Sequence, residues 1–238
     1  GEQQIRKQTG VEQTESLRLV AKLLDLYICG FRELGPFTQT SQNRLEWAWR
    51  LLANQGFNSL RCAHLLIQLG YYTQALTLVR SVAEGWLIHV DCKDHPETVS
   101  ALLDGQGRMP NFETMSKRNG EDVCKVWRGT DSSNEGLYSV LSTIAHPRKR
   151  GLGMLLDYQN KGLRLGGNYD PVLFKFACYY LVWASRVYSE ILARLVTASN
   201  GQTWINKLSS LQSEAIRWEN ETISWAREQL QNSAGNSV

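Results

Sequence analysis

The chain has no long apolar run, no paired cysteines and only five prolines. Each shortage excludes something. Its most apolar stretch, 176–185, is bounded by Lys175 and Arg186. That is about half of the ~20 residues a membrane-spanning helix needs, so no membrane association is expected. The cysteines are Cys29, Cys62, Cys92, Cys124 and Cys178, odd in number, widely spaced and never in a Cys-x-x-Cys pair. This argues against a disulfide framework and against a zinc site, and it fits a reducing cytoplasm. The four histidines show no metal-ligand spacing such as His-Glu-x-x-His, so no metal and no cofactor is expected. There is no Walker loop, no Gly-x-Gly-x-x-Gly after a strand and no Gly-x-Ser-x-Gly elbow. Gly151-Leu-Gly153 is too short to substitute for any of them. Residues 1–13 are polar, so no secretory leader is expected. Internal repeats, heptad runs and low-complexity blocks are also missing.

What is present is the composition of a globule, with 42% hydrophobic and 21% charged residues in a chain of 238. That length buries a sizeable core without staples. The net charge of +3 does not by itself announce a nucleic-acid partner. Its distribution is uneven, because Lys117 to Arg164 holds nine Lys/Arg against five acids.

Apolar positions recur at steps of three and four through most of the chain, which predicts helices. The first covers 11–34 and ends at Gly35-Pro36. The second is capped by Thr40 or Ser41 and runs to about Leu69, with a break or kink near Gly56. The third, Tyr72 to about Asp94, follows after almost no loop, so the two form an antiparallel hairpin. Pro96 opens a short helix to Leu103. The Gly-rich segment 105–136 is a weaker region with short helical turns near 112–117 and 122–128. Ser132, Ser133 or Asn134 caps a helix containing Leu137–Ala145. Segment 151–167 reads as a β-hairpin turning at Asn160-Lys161-Gly162, or as an ordered loop. Asp170-Pro171 opens a long helix to about Ala198, and a last helix runs from Thr203 to about Leu230. The expectation is an all-α, antiparallel bundle of six or seven helices with a small irregular or β-hairpin insertion near 150–168. Residues 1–10 form a flexible N-terminus, 11–230 a single helical domain and 231–238 a flexible tail.

Two segments concentrate the candidate chemistry. On the third helix, Arg80 and Glu84 stand four residues apart in a largely apolar run. They are either a structural ion pair orienting neighbouring helices or part of a polar pocket. Downstream, His146 closes a helix whose Tyr138 and Ser142 share its face. Pro147 fixes the exit, and Arg148, Lys149 and Arg150 follow at once. Here the alternatives are a C-terminal His with a solvated basic tail and a site where Arg148, Lys149 and Arg150 meet phosphate. His64 and His89 lie in apolar helices and read as core residues. His95 precedes Pro96 at a boundary and reads as exposed. Most of the eight tryptophans, Trp49 and Trp86 among them, fall on helical faces as core or interface residues.

The stretches ALTLVRSVAEGW, YSVLSTIAHP and LRLGGNYDPVLFKFA resemble those of a set of uncharacterised bacterial all-helical proteins. These carry an Arg-x3-Glu helix, a Ser-x3-His-Pro segment and a long helix opened by Tyr-Asp-Pro. The resemblance covers about residues 45–195, and the set is similar in general plan to the HEPN superfamily. Many members of that superfamily are metal-independent ribonucleases of phage-defence or toxin–antitoxin systems, and many are homodimers. The resemblance therefore implies RNA or a nucleotide as partner, His146 as general acid/base, Arg80 stabilising phosphate charge with Glu84 orienting it, and Arg148, Lys149 and Arg150 holding the backbone alongside Tyr138 and Ser142. Catalytic HEPN proteins carry an Arg followed by four to six residues and then His. This chain departs from that pattern, since Arg61 to His64 leaves two residues between and Arg80 to His89 leaves eight. The alternative from the residues alone is a non-catalytic helical binding or dimerisation module in which Arg80, Glu84 and His146 are structural.

Overall fold

The computed structural model describes residues 3–7, 14–36, 40, 43–131, 134–145, 156–157, 162–163, 167, 169–198 and 201–235. The protein is all-α. After a helical turn at 3–7 come α1 (Thr14–Leu34), α2 (Arg44–Gln68), α3 (Tyr72–Asp94), α4 (Pro96–Asp104), α5 (Phe112–Arg118), α6 (Glu121–Arg128), α7 (Leu137–Ala145), α8 (Pro171–Ala198) and α9 (Gln202–Gly235). These nine helices among the described residues exceed the expected six or seven, because α5 and α6 are true helices. Gly120, at φ 100°, makes the turn between them, and Asn111 caps α5 by accepting from the Thr114 N–H at 2.8 Å. Two minimal antiparallel ladders complete the inventory. β1 (Gly129–Asp131) pairs with β2 (Asn134–Glu135), and β3 (Leu156–Asp157) pairs with β4 (Gly162–Leu163). Asn134 therefore lies in a strand, and α7 begins only at Leu137. Gly162, expected in a turn, is part of β4, while Asn160 and Lys161 lie outside the described residues.

Local chemistry sets the helix ends. α1 stops where Gly35 takes φ 62°, a left-handed position open to glycine at little cost. α2 starts after Asn43 rather than at Thr40 or Ser41; the Asn43 side chain instead accepts from the Thr40 N–H at 2.7 Å. α8 is capped as its Asp-Pro opening predicts, with Asp170 Oδ1 accepting from the N–H groups of Val172 and Leu173 at 3.0 Å each. α9 continues past the expected end, to Gly235.

α8 is the central element, packing against α1, α2, α3 and α9. That explains why 176–185 is apolar: no residue of this stretch is exposed. Among the described residues no helix is long and apolar enough to cross a membrane. Three buried hydroxyls on and around α8 donate to backbone carbonyls. Tyr27 donates to Ser185 O at 2.5 Å, Tyr188 donates to Ala53 O at 2.7 Å, and Ser185 donates to Leu181 O at 2.8 Å.

Contacts fix the helix directions. α2 runs against α1, since His64 meets Leu17 O while Arg50 donates to Leu34 O. α2 and α3 form the expected hairpin, turning at Gly70 (φ 79°) and bringing Trp49 onto His89. α9 runs against α8, with Arg186 paired to Glu219 and Lys175 over the Trp225 ring. α3 and α8 differ: Tyr72 meets Phe174 and Trp86 meets Glu190, so these neighbours are parallel. The antiparallel pattern gives way at this pair of helices.

There is no break at Gly56, as α2 is continuous through it. The glycine has another cause. A Cβ at Gly56 would stand 2.7 Å from two Tyr188 ring carbons, and that ring is held by its hydroxyl bond to Ala53 O and by an edge contact with Tyr27 at 4.9 Å. Gly56→Ala is expected to cost about 1–3 kcal/mol through overpacking, despite alanine's better helix propensity. Thermal unfolding of the variant checks this; an unchanged or raised melting temperature would contradict it.

Candidate functional site

α3 carries the first sequence candidate. Arg80 Nε donates to Glu84 Oε1 at 2.8 Å, and the two side chains are 15% and 24% exposed. The i,i+4 spacing puts them on one face, and the carboxylate sets the plane of the guanidinium. α7 packs against α3 and buries Leu141, Ser142 and Ile144. The last described residue of α7 is thus one position short of His146. His146, Arg148, Lys149 and Arg150 lie outside the described residues, as does the side chain of Tyr138. The structure thus brings together Arg80 and Glu84 and lays the Ser142 helix on the same element. Ser142 is buried rather than open on a surface.

The other histidines behave as core or boundary residues. His64 is half-buried, its Nε2 3.2 Å from Leu17 O and 3.2 Å from the Gln68 amide. His89 is fully buried, tilted at 51° against Trp49 with ring centroids 4.8 Å apart. Among the described residues, neither His89 ring nitrogen nor Trp49 Nε1 has a hydrogen-bond partner. Burial pushes His89 down to about 3, and the positive charge of Arg194 adds to that. His95 is not fully exposed; its Nδ1 lies 3.3 Å from Glu97.

Sequence reasoning missed a polar cluster at the junction of α3, α4 and α5. Asp91 is completely buried on α3. It accepts from Arg118 Nε at 2.7 Å, from Arg118 Nη2, from Thr98 Oγ1 at 2.6 Å and from Asn119 Nδ2 at 2.7 Å. Arg118 also reaches Glu97 at 3.0 Å. Burial works to raise the Asp91 carboxyl, but the bonds from Arg118, Thr98 and Asn119 outweigh it and hold it below the usual range. The available signal was a lone aspartate in the apolar run Trp86–Cys92. Every acceptor position of Asp91 is taken from within the chain, so the cluster reads as a clamp between helices. Arg186 and Glu219 make a second clamp, at 3.1 and 3.3 Å, between α8 and α9.

All five cysteines are free. Among the described residues no group of His, Cys, Asp or Glu side chains could hold a metal ion. No family model, curated protein or solved structure matches this chain.

Proposed function

We propose that this is a HEPN-like bacterial protein of the cytoplasm that binds or cuts RNA, a homodimeric component of a defence or toxin–antitoxin system built on a largely antiparallel helical bundle. The observation that carries the reading is the half-buried Arg80–Glu84 pair on the helix against which α7 packs. Unlike Arg118–Asp91 and Arg186–Glu219, it joins two residues of one helix. A guanidinium preoriented in this way suits a developing phosphate charge. In this reading Glu84 orients Arg80, His146 moves the proton at the attacking 2′-hydroxyl or the leaving oxygen, and Arg148, Lys149 and Arg150 neutralise backbone phosphates beside Tyr138, while the buried Ser142 contacts no substrate. No metal or other cofactor takes part.

A second reading is a non-catalytic binding or dimerisation module. It is favoured by the positions of His64 and His89, which are held by backbone or enclosed in the core and so cannot stand in for the missing Arg-x(4–6)-His base. One experiment separates the two. In chelator-containing buffer the wild type is expected to cleave single-stranded RNA, and His146→Ala to lose about 10²–10⁴-fold in rate with its melting temperature unchanged. Intact RNA with the wild type leaves only the binding module, which a gel-shift assay then tests.

A further inference from the structure

Four buried side-chain polar atoms have no hydrogen-bond partner among the described residues, and three of them sit on two contacting rings. They are Nδ1 and Nε2 of His89 and Nε1 of Trp49. Leaving a buried polar atom unsatisfied is costly, so three on adjoining rings call for a physical reason. Their chemistry is mainly that of donors. An indole nitrogen can only donate, and a neutral imidazole donates from one of its nitrogens. The charge beside them is positive. Arg194, on α8, holds its guanidinium carbon 5.9 Å from the centre of the Trp49 ring. It is also the charge that acts on His89, and no carboxylate among the described residues opposes it there. Arg194 has no ion-pair partner among the described residues. Glu190, one turn earlier on α8, instead accepts from the Trp86 indole N–H at 2.9 Å. The surroundings are apolar, since Ala48, Cys92 and Val99 form a small buried core against which Trp49 and Ile88 pack. Charge interactions made in such surroundings are strengthened.

We propose that the junction of α2, α3 and α8 binds a small, singly charged, weakly hydrated anion of the halide class, with Trp49 Nε1–H and one His89 N–H donating to it and Arg194 supplying the countercharge. The charge count sets the class. One guanidinium compensates one negative charge, so a doubly charged phosphate would enter with half its charge unpaired, at a desolvation cost that two N–H bonds do not offset. A phosphodiester of RNA carries a single charge but cannot follow it to a fully buried ring. Fluoride loses more on leaving water than chloride or bromide does. A cation is repelled by Arg194. Water would serve the nitrogens and leave Arg194 uncompensated, so it is the alternative that the test must separate. The way in lies beside Arg194, which is exposed, and over the half-buried Trp49. The site shares no residue with the Arg80–Glu84 pair, and it stands whether or not the protein acts on RNA.

The test follows the Trp49 indole N–H resonance in proton–nitrogen correlation spectra of the full chain at pH 7, identified by its loss in Trp49→Phe. Sodium bromide, sodium chloride and sodium gluconate are compared at matched ionic strength, up to about 0.3 M. A saturable shift is expected with bromide and with chloride, and none with the bulky gluconate. Arg194→Gln changes an exposed side chain and is expected to raise the half-saturation concentration at least about tenfold. His89→Phe is expected to abolish the saturable shift. Lys207→Gln, which removes a cation from the exposed face of α9, is expected to leave it unchanged. Crystals grown with bromide are expected to show an anomalous peak at about 3.3 Å from Trp49 Nε1. A resonance that does not respond to halide overturns the proposal and leaves water as the partner of the two rings. A response that Arg194→Gln leaves intact, or that Lys207→Gln weakens equally, also overturns it, as does a bromide peak found only elsewhere.

Discussion

Arg118→Ala is expected to lower the free energy of unfolding by about 3–5 kcal/mol, the largest loss of any substitution considered for this protein. The effect comes from what is left behind. Asp91 is fully enclosed, and removing Arg118 takes away two of its four hydrogen bonds and its only countercharge among the described residues. Thr98 and Asn119 cannot neutralise a carboxylate. The loss is therefore chiefly the cost of an unpaired buried charge, not the worth of the ion pair itself. The double replacement Asp91→Leu with Arg118→Met supplies the control, because exchanging both partners for apolar groups is expected to be much milder than losing one. Urea unfolding of the wild type, the single variant and the double variant checks this. A single variant within 1 kcal/mol of wild type, or a double variant worse than the single, would show that the cluster is not the clamp described.

The second large effect is a loss of stability in mild acid, traced to His89. In the unfolded chain this imidazole titrates at its ordinary value of 6.5, and in the folded protein at about 3. Between those values the unfolded state binds the extra proton, so stability rises with pH through this window and is lost as pH falls from 6.5 toward 3. From pH 7 to pH 5 the loss from His89 alone is about 2 kcal/mol, at 1.36 kcal/mol per unit. His64, also lowered by burial, adds in the same direction. The carboxylates contribute mainly below this range, so urea unfolding at pH 7, 6 and 5 isolates the histidines. His89→Phe keeps a ring against Trp49 and removes both unpaired nitrogens, and it is expected to flatten the pH dependence by about that amount. Parallel stability profiles for the variant and the wild type would rule out His89 as the source.

The long helices were legible because their chemistry is local. Tyr72–Asp94 has the ends read from spacing, Gly turns and Pro positions, whereas the helix at Leu137–Ala145 starts after the expected cap at Ser132, Ser133 or Asn134. α5 and α6 were harder, since seven and eight residues carry barely two turns of periodicity between glycines. The parallel pairing of α3 with α8 has no local signature at all, because the two helices lie far apart in sequence. The Arg80–Glu84 pair was visible as an i,i+4 spacing in an apolar run. Asp91 and Arg118 were not, because 27 residues and a Gly-rich stretch separate them in sequence. Gly56 was misread for a related reason: a helical glycine looks like a hinge until the distant Tyr188 ring that requires it is in view. His146 and the three cations after it remain the part of the site that the resemblance, not the geometry, assigns.

The central place of α8 has a consequence for how the chain comes into being. Its first residue follows the last residue of α3 by 77 positions. At roughly 5–20 residues per second of synthesis, α1, α2 and α3 are outside the ribosome for roughly 4–15 s before the helix they surround has been made. During that interval Tyr27, Gly56 and the inner face of α3 line an unfilled groove, and the hairpin can close only on itself. The nascent molecule therefore waits for its core, and the segment 95–170 sets the length of that wait.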